Sequence, residues 1–160
     1  MSRRLLHELT YDAPATEVAA MLADPEFRRE VCAAQRVTRV DVSVQRDGEH
    51  LEVVVDQWQH TVGVPSFAKR FVGEETNVIQ AESWATPLLG DIVVTLPGKP
   101  GDIRGTARIT ESGGVTTETV DLTIKVGIPL LGGKLESLLS DLMAKALVAE
   151  NRVGRDYLSR

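Results

Sequence analysis

Val126-Gly-Ile-Pro-Leu-Leu-Gly-Gly-Lys-Leu-Glu-Ser-Leu-Leu-Ser-Asp-Leu-Met-Ala-Lys-Ala-Leu147 is the stretch whose reading decides the fold. It leaves a strand, breaks at a Pro/Gly turn and opens into one long helix. Leu135, Leu139, Leu142, Ala146, Ala149 and Val153 recur at steps of four and three, and Leu138, Met143 and Leu147 widen the stripe. Lys134, Ser137, Asp141, Lys145, Arg152 and Arg155 lie opposite. A helix with one broad apolar face must cover something apolar. It is predicted from about Gly133 to Tyr157, roughly 38 Å at 1.5 Å per residue, enough to cross a sheet. Gly132-Gly133 lacks the Gly-Lys-Ser/Thr pattern of a phosphate loop and reads as a sharp strand-to-helix reversal.

Working outward, the chain before this helix reads as strands. Val120, Leu122, Ile124 and Val126 alternate with Thr119, Asp121, Thr123 and Lys125, so Val115–Val126 has one apolar and one polar face. Its partner is Ile103–Glu111, joined through Ser112-Gly113-Gly114. Asn77–Trp84 and Asp91–Leu96 precede it, the latter closed by the Pro97–Gly101 turn. Val40, Val42 and Val44 alternate in an earlier strand, and Leu51, Val53 and Val55 continue beyond an Asp47-Gly48 turn to about Trp58. Arg3–Tyr11 is the first strand. Two short helices follow it, one with Pro14 in its first turn and one capped by Asp24 with Pro25 at its first position. The expected fold is α+β: a curved antiparallel sheet of about seven strands gripping one long C-terminal helix, with two short helices after the first strand. One helix laid across one curved sheet makes a container.

At 160 residues the chain reads as one domain with no linker or repeat. Hydrophobic content of 42% and charged content of 26% fit a soluble globular protein. With 18 basic against 23 acidic residues the net charge is −5, which argues against a nucleic-acid or anionic-membrane partner, and no apolar run approaches the roughly 20 residues of a membrane span, so no stable membrane insertion is expected. Cys32 stands alone, so no internal disulfide forms. The apolar stretch after Arg3-Arg4 is too short for a signal peptide, and a cytoplasmic location is expected. A monomer and a homodimer are equally open.

Tyr11-Asp-Ala-Pro-Ala-Thr-Glu-Val18, Asp24-Pro-Glu-Phe-Arg28, Val64-Pro-Ser-Phe-Ala68, Glu82-Ser-Trp84 and Ile128-Pro-Leu-Leu-Gly-Gly-Lys-Leu-Glu136 carry a family resemblance. Spread over nearly the whole chain, they resemble the START-like (SRPBCC, helix-grip) superfamily, and within it the actinobacterial family DUF2505, whose function is unknown. The resemblance implies an apolar cavity between sheet and last helix. Superfamily members bind lipids, sterols, hormones or aromatic polyketides, and a minority are cyclases or hydroxylase components; fold analogy does not choose among these.

Several residues carry two readings each. Trp58 and Trp84 either line the cavity mouth or are core and edge packing. Phe67 and Phe71, four apart in Gly63–Gly73, cap either the core or a ligand if Pro65 starts a helical turn. Gly105, Ala107, Ala146 and Ala149 point at the space between helix and sheet, and serve either close packing or room for a guest. Parity places Glu118 with Val120 and Glu82 with Trp84 on the inner face, where a carboxyl would have a raised pKa or grip a polar ligand group. His7, His50 and His60 are the imidazoles, without a nucleophile elbow beside them. Cys32 reads as a small apolar filler. No His-x-His, His-Glu-x-x-His or Cys-x-x-Cys is present, so neither a metal nor another cofactor is expected.

The leading expectation is a non-catalytic binder or carrier of a hydrophobic small molecule, lipid-like or aromatic. Its cavity walls are expected to include Trp58, His60, Phe67, Phe71, Trp84, Leu135, Leu139, Leu142, Met143 and Ala146. Two alternatives stand beside it. One is a polyketide cyclase/aromatase-like enzyme using His60 with Glu82 or Glu118. The other is a protein-interaction module whose interior is filled by its own side chains.

Overall fold

A computed structural model describes residues 1–61 and 63–160. The elements run β1 (Arg3–Tyr11), α1 (Ala15–Leu22), α2 (Pro25–Ala33), β2 (Val37–Asp47), β3 (His50–His60), α3 (Ser66–Val72), β4 (Glu75–Thr86), β5 (Leu89–Thr95), β6 (Asp102–Ser112), β7 (Val115–Lys125) and α4 (Gly132–Leu158). The strands form one antiparallel sheet in the order β1-β7-β6-β5-β4-β3-β2. The chain travels from one edge of this sheet to the other through α1 and α2. From β2 onward it meanders back to β7, beside β1.

The buried apolar positions of the alternating strands turn to one face. Val53, Ile92, Val94, Ile103, Ala107, Ile109, Val120, Leu122 and Ile124 are buried there, while Thr123, Lys125 and Arg104 on the other face are exposed. Each fully buried Val, Leu or Ile contributes roughly 1.5–3 kcal/mol through removal from water. Alternation weakens at the edge strand β2, where Val40 is exposed and Val42 and Val44 are half-buried, and in β4, where Asn77, Val78, Ile79, Gln80 and Ala81 are all half-buried.

Short helices begin where their caps dictate. Asp24 Oδ1 accepts the Glu26 N–H at 2.9 Å, with Pro25 at the first helical position of α2. Pro14 stands one residue earlier than expected: its φ of −69° and ψ of 156° are extended, and α1 begins at Ala15. The expected helical turn after Pro65 is α3, flanked by Gly63 (φ 81°) and Gly73 (φ 64°).

The reversal into α4 has three fastenings. The buried Glu136 carboxylate accepts the Val126 N–H at 2.9 Å, Gly132 N–H donates to Ile128 O at 2.8 Å, and a Cβ on Gly132 would lie 2.5 Å from Val126 O. At 27 residues, about 40 Å, α4 spans the sheet. Its far end is tied to β1 by Asn151 Nδ2 and Arg155 Nε, which both donate to Thr10 O at 2.9 and 3.0 Å. There Tyr157 packs edge-on against Phe27, ring centroids 5.6 Å apart, and donates its hydroxyl to Asp24 Oδ2 at 2.5 Å. No described helix is long and apolar enough to cross a membrane.

Candidate functional site

The sheet curves away from the first half of α4, and a cavity of about 590 Å³ lies between them. Val78, Val94, Leu96 and Ile103 form its sheet wall. Leu135, Leu138, Leu139, Leu142, Met143, Ala146 and Ala149 form the helix wall, at the spacing of one helical face. Val64, Ala68, Phe71 and Val72 close one end from α3 and its lead-in. The volume falls within the roughly 300–1,000 Å³ typical of small-molecule sites. Arg36, His60, Lys99 and Lys145 are its ionisable lining residues; among the described residues no carboxylate lines it, and Arg36, Lys99 and Lys145 make no ion pair.

His60, Phe71, Leu135, Leu139, Leu142, Met143 and Ala146 therefore share this cavity, and Ala149 joins them. Three expected wall residues lie elsewhere. Trp58 follows the inward Gln57, so its ring is on the outer face, where the Arg39 guanidinium stacks on it 4.6 Å from the centroid. Trp84 faces inward but at the opposite end of the sheet; its indole is buried against Gly90 and donates Nε1–H to Glu82 Oε1 at 2.9 Å. Phe67 packs with Val126, Leu135 and Ala68, under the Lys134 ammonium at 5.8 Å. Gly105 contributes no room for a guest. A Cβ there would lie 1.8 Å from Asp121 O, so its smallness serves the β6–β7 contact.

Beyond Ala146 the interior becomes polar. Arg28, 4% exposed, donates Nη1 and Nη2 to the two Glu82 oxygens at 2.8 and 2.9 Å, and Nε to Leu22 O at 2.8 Å. Gln80 Nε2 donates to Glu82 Oε2 at 2.6 Å. Glu82 thus accepts four hydrogen bonds, from Arg28 twice, Trp84 and Gln80. Glu118 is also 4% exposed, but its Oε1 has no partner, nor has the buried Tyr11 hydroxyl. Glu150, one turn beyond Ala146 on α4, lines a chamber of about 60 Å³ with Arg28, Cys32, Gln57 and Gln80.

The charges sort these carboxyls into different states. Burial opposes ionisation of Glu82, but the Arg28 charge and the hydrogen bonds of Arg28, Trp84 and Gln80 outweigh it and hold its pKa below the ordinary carboxylate value. Burial likewise opposes the Arg28 charge, yet Glu82 and Glu150 reverse the effect and its pKa is raised. Glu118 has no such partner. Burial, then the like charges of Glu150 and Glu82, push it well above the usual range, with Arg28 opposing. Burial drives Glu150 up to about 7 against the pull of Arg28. Burial also raises the Cys32 thiol to about 11, so it is a protonated chamber wall, its Sγ 3.7 Å from Gln57 Oε1.

The enzyme reading placed His60 with Glu82 or Glu118. The structure separates them: His60 is exposed at the mouth, Glu82 is held by Arg28, and the buried Glu118 lines neither the cavity nor the polar chamber. Arg28 and Glu150 were missed. Both carried a signal, because each stands on an apolar helical face, Arg28 at i−3 and i−4 from Val31 and Cys32, and Glu150 at i+4 and i+3 from Ala146 and Leu147. Among the described residues no cluster of His, Cys, Asp and Glu has the arrangement to hold a metal ion.

This geometry has known counterparts. A structure from Thermus thermophilus matches with TM-score 0.65 and 18% identity, over 96% of this chain and 95% of that one. The di-domain ARO/CYC StfQ from the steffimycin biosynthetic pathway matches with TM-score 0.70 and 11% identity, over 98% of this chain and 50% of that one. Norcoclaurine synthase from Thalictrum flavum matches with TM-score 0.61 and 11% identity, over 100% and 88%. At such identities the likeness is one of fold, the START-like helix grip. Uncharacterized proteins of Mycobacterium tuberculosis and Mycobacterium bovis are each 30% identical over 113 residues, 66% of this chain and 64% of theirs. The chain thus spans less than two thirds of the length of these relatives. The pattern of the family described as protein of unknown function, DUF2505, matches residues 6–158, and the chain belongs to that family.

Proposed function

We propose that this protein binds and carries a hydrophobic small molecule, lipid-like or aromatic, between the sheet and α4, without transforming it. One observation carries the reading: a cavity of about 590 Å³ with aliphatic and aromatic walls from the sheet, α3 and α4. A close-packed interior seldom leaves voids larger than a water molecule, which weighs against the filled-core interaction module. The likeness in fold to the ARO/CYC StfQ and to norcoclaurine synthase keeps the polyketide cyclase/aromatase-like enzyme as the alternative reading. The carrier works in the cytoplasm as a monomer or homodimer, without nucleic acid or membrane insertion.

Ala146 lines both the main cavity and the polar chamber, so it is the place to block. Titration with an anilinonaphthalene sulfonate dye should show saturable fluorescence enhancement in the wild type. Ala146→Phe should lose it while keeping its far-UV circular dichroism. Undiminished dye binding in a folded Ala146→Phe variant would remove the ligand from this cavity.

A further inference from the structure

The polar chamber at the inner end of the cavity is small and incompletely bonded. It shares Gln35, Gln59, Val78, Val94, Met143 and Ala146 with the main cavity. Its volume of about 60 Å³ corresponds to two waters at about 30 Å³ each, which admits the tip of a ligand and excludes a bulky headgroup.

Hydrogen bonding states what that tip must be. Gln80 donates its amide to Glu82 and keeps its Oε1. Gln57 Oε1 accepts from Gln59 Nε2 at 3.0 Å and from Cys32 Sγ, leaving its amide nitrogen as a donor. Arg28 spends three of its five N–H groups on Glu82 and Leu22, which leaves two as further donors. Glu150 makes no side-chain hydrogen bond among the described residues, and the nine-tenths buried Glu118 keeps one oxygen unpartnered behind it. The chamber therefore presents acceptors on Glu150 and Gln80 together with donors on Gln57 and Arg28.

We infer that the chamber recognises a single hydroxyl, the leading end of an otherwise apolar alcohol or phenol, which donates to Glu150 and accepts from Gln57. Only a group that both gives and takes a hydrogen bond meets this set. A carboxylate or phosphate would face the Glu150 carboxylate, while the charge of Arg28 is already neutralised by Glu82. An ammonium group offers no acceptor to Gln57, and must pass Arg36, Lys99 and Lys145 at the mouth. A carboxylate on a cavity wall costs folding energy, so the presence of Glu150 there needs a cause other than packing. The inference rests on the binding reading above.

Equilibrium dialysis of naphthol against naphthalene at pH 8, where Glu150 is ionised, on the wild type and on Glu150→Leu, separates the two. The wild type is expected to take up both, with naphthol at least about tenfold tighter, the effect of one hydrogen bond to a charged acceptor. Glu150→Leu should lose that preference while holding naphthalene at least as well. Equal wild-type affinities, or a preference that survives Glu150→Leu, would overturn the hydroxyl site and leave the cavity standing. Failure of the wild type to bind either compound would overturn both. Should Glu150→Leu not fold, Glu150→Gln, close in shape with an uncharged acceptor, carries the comparison: its preference should fall several-fold, and an undiminished one would overturn the site.

Discussion

Arg28 is a charge held where water does not reach, and Glu82 is the reason it can stay there. Removing one member of a buried pair leaves the other uncompensated, at a cost of about 3–5 kcal/mol. Arg28→Met should therefore lower urea stability by about that amount. Adding Glu82→Gln, which keeps an acceptor for Trp84 Nε1, should recover roughly half or more of the loss through their coupling. Additive losses in the double variant would show that the pair does not act as a unit. Glu150 makes the opposite case, because its folded-state pKa of about 7 lies above the ordinary 4.5. A raised carboxyl pKa gives stability that is intact below pH 4.5 and is lost as pH rises through about 7, here up to about 3 kcal/mol. Arg28, Glu82 and Glu118 are the charged groups around it. Glu150→Gln should raise Tm by several degrees at pH 8 and change it little at pH 5; an equal shift at both would contradict the assignment. Part of this cluster was legible. The period of two puts Glu82 and Glu118 on the inner face, but nothing along a strand names the helical Arg28 as a partner 54 residues away.

At the scale of elements, α4 shows what a helical stripe tells and omits. Its length, its entry through Gly132-Gly133 and its apolar face were readable, because the steps of four and three need only the helix period. Gly154 was not. A Cβ on it would lie 2.6 Å from Tyr11 Cε1 and 3.2 Å from Met21 Cε, so α4 meets β1 and α1 through this missing side chain. Alanine is the better helix former by about 1 kcal/mol, yet Gly154→Ala should destabilise by about 1–3 kcal/mol, the cost of overpacking. Gly133→Ala on the same helix meets nothing closer than Met1 Sδ at 3.8 Å and should be neutral or stabilising. Urea unfolding of both variants checks the contrast, and a stabilised Gly154→Ala would sink it. Strand parity also holds the lesson of Trp58. Leu51, Val53 and Val55 inward force Gln57 inward and Trp58 outward, so alternation overrides the attraction of a rare aromatic residue.

The whole molecule is a closed frame on one side and an open grip on the other. Around the C-terminal half of α4, β1, α1 and α2 pack closely, with Tyr11, Met21 and Phe27 fully buried. Around its N-terminal half, α3 and the β5–β6 turn stand off, and the cavity opens between them. The order of elements announced a container, since one long apolar stripe had a curved sheet to cover. Whether that container is hollow depends on how far helix and sheet stand apart, a distance set by Glu136 at one end and Gly154 at the other, and no local pattern encodes it.

Native mass spectrometry tests the central claim most directly. Wild type and Ala146→Phe would be purified from the protein's own host, incubated with that host's total organic extract and weighed before and after denaturing extraction. A cavity that binds an apolar molecule predicts a discrete, one-to-one adduct on the wild type, released by extraction and absent from Ala146→Phe. A wild type at its bare sequence mass, or the same adduct on both proteins, would contradict the account.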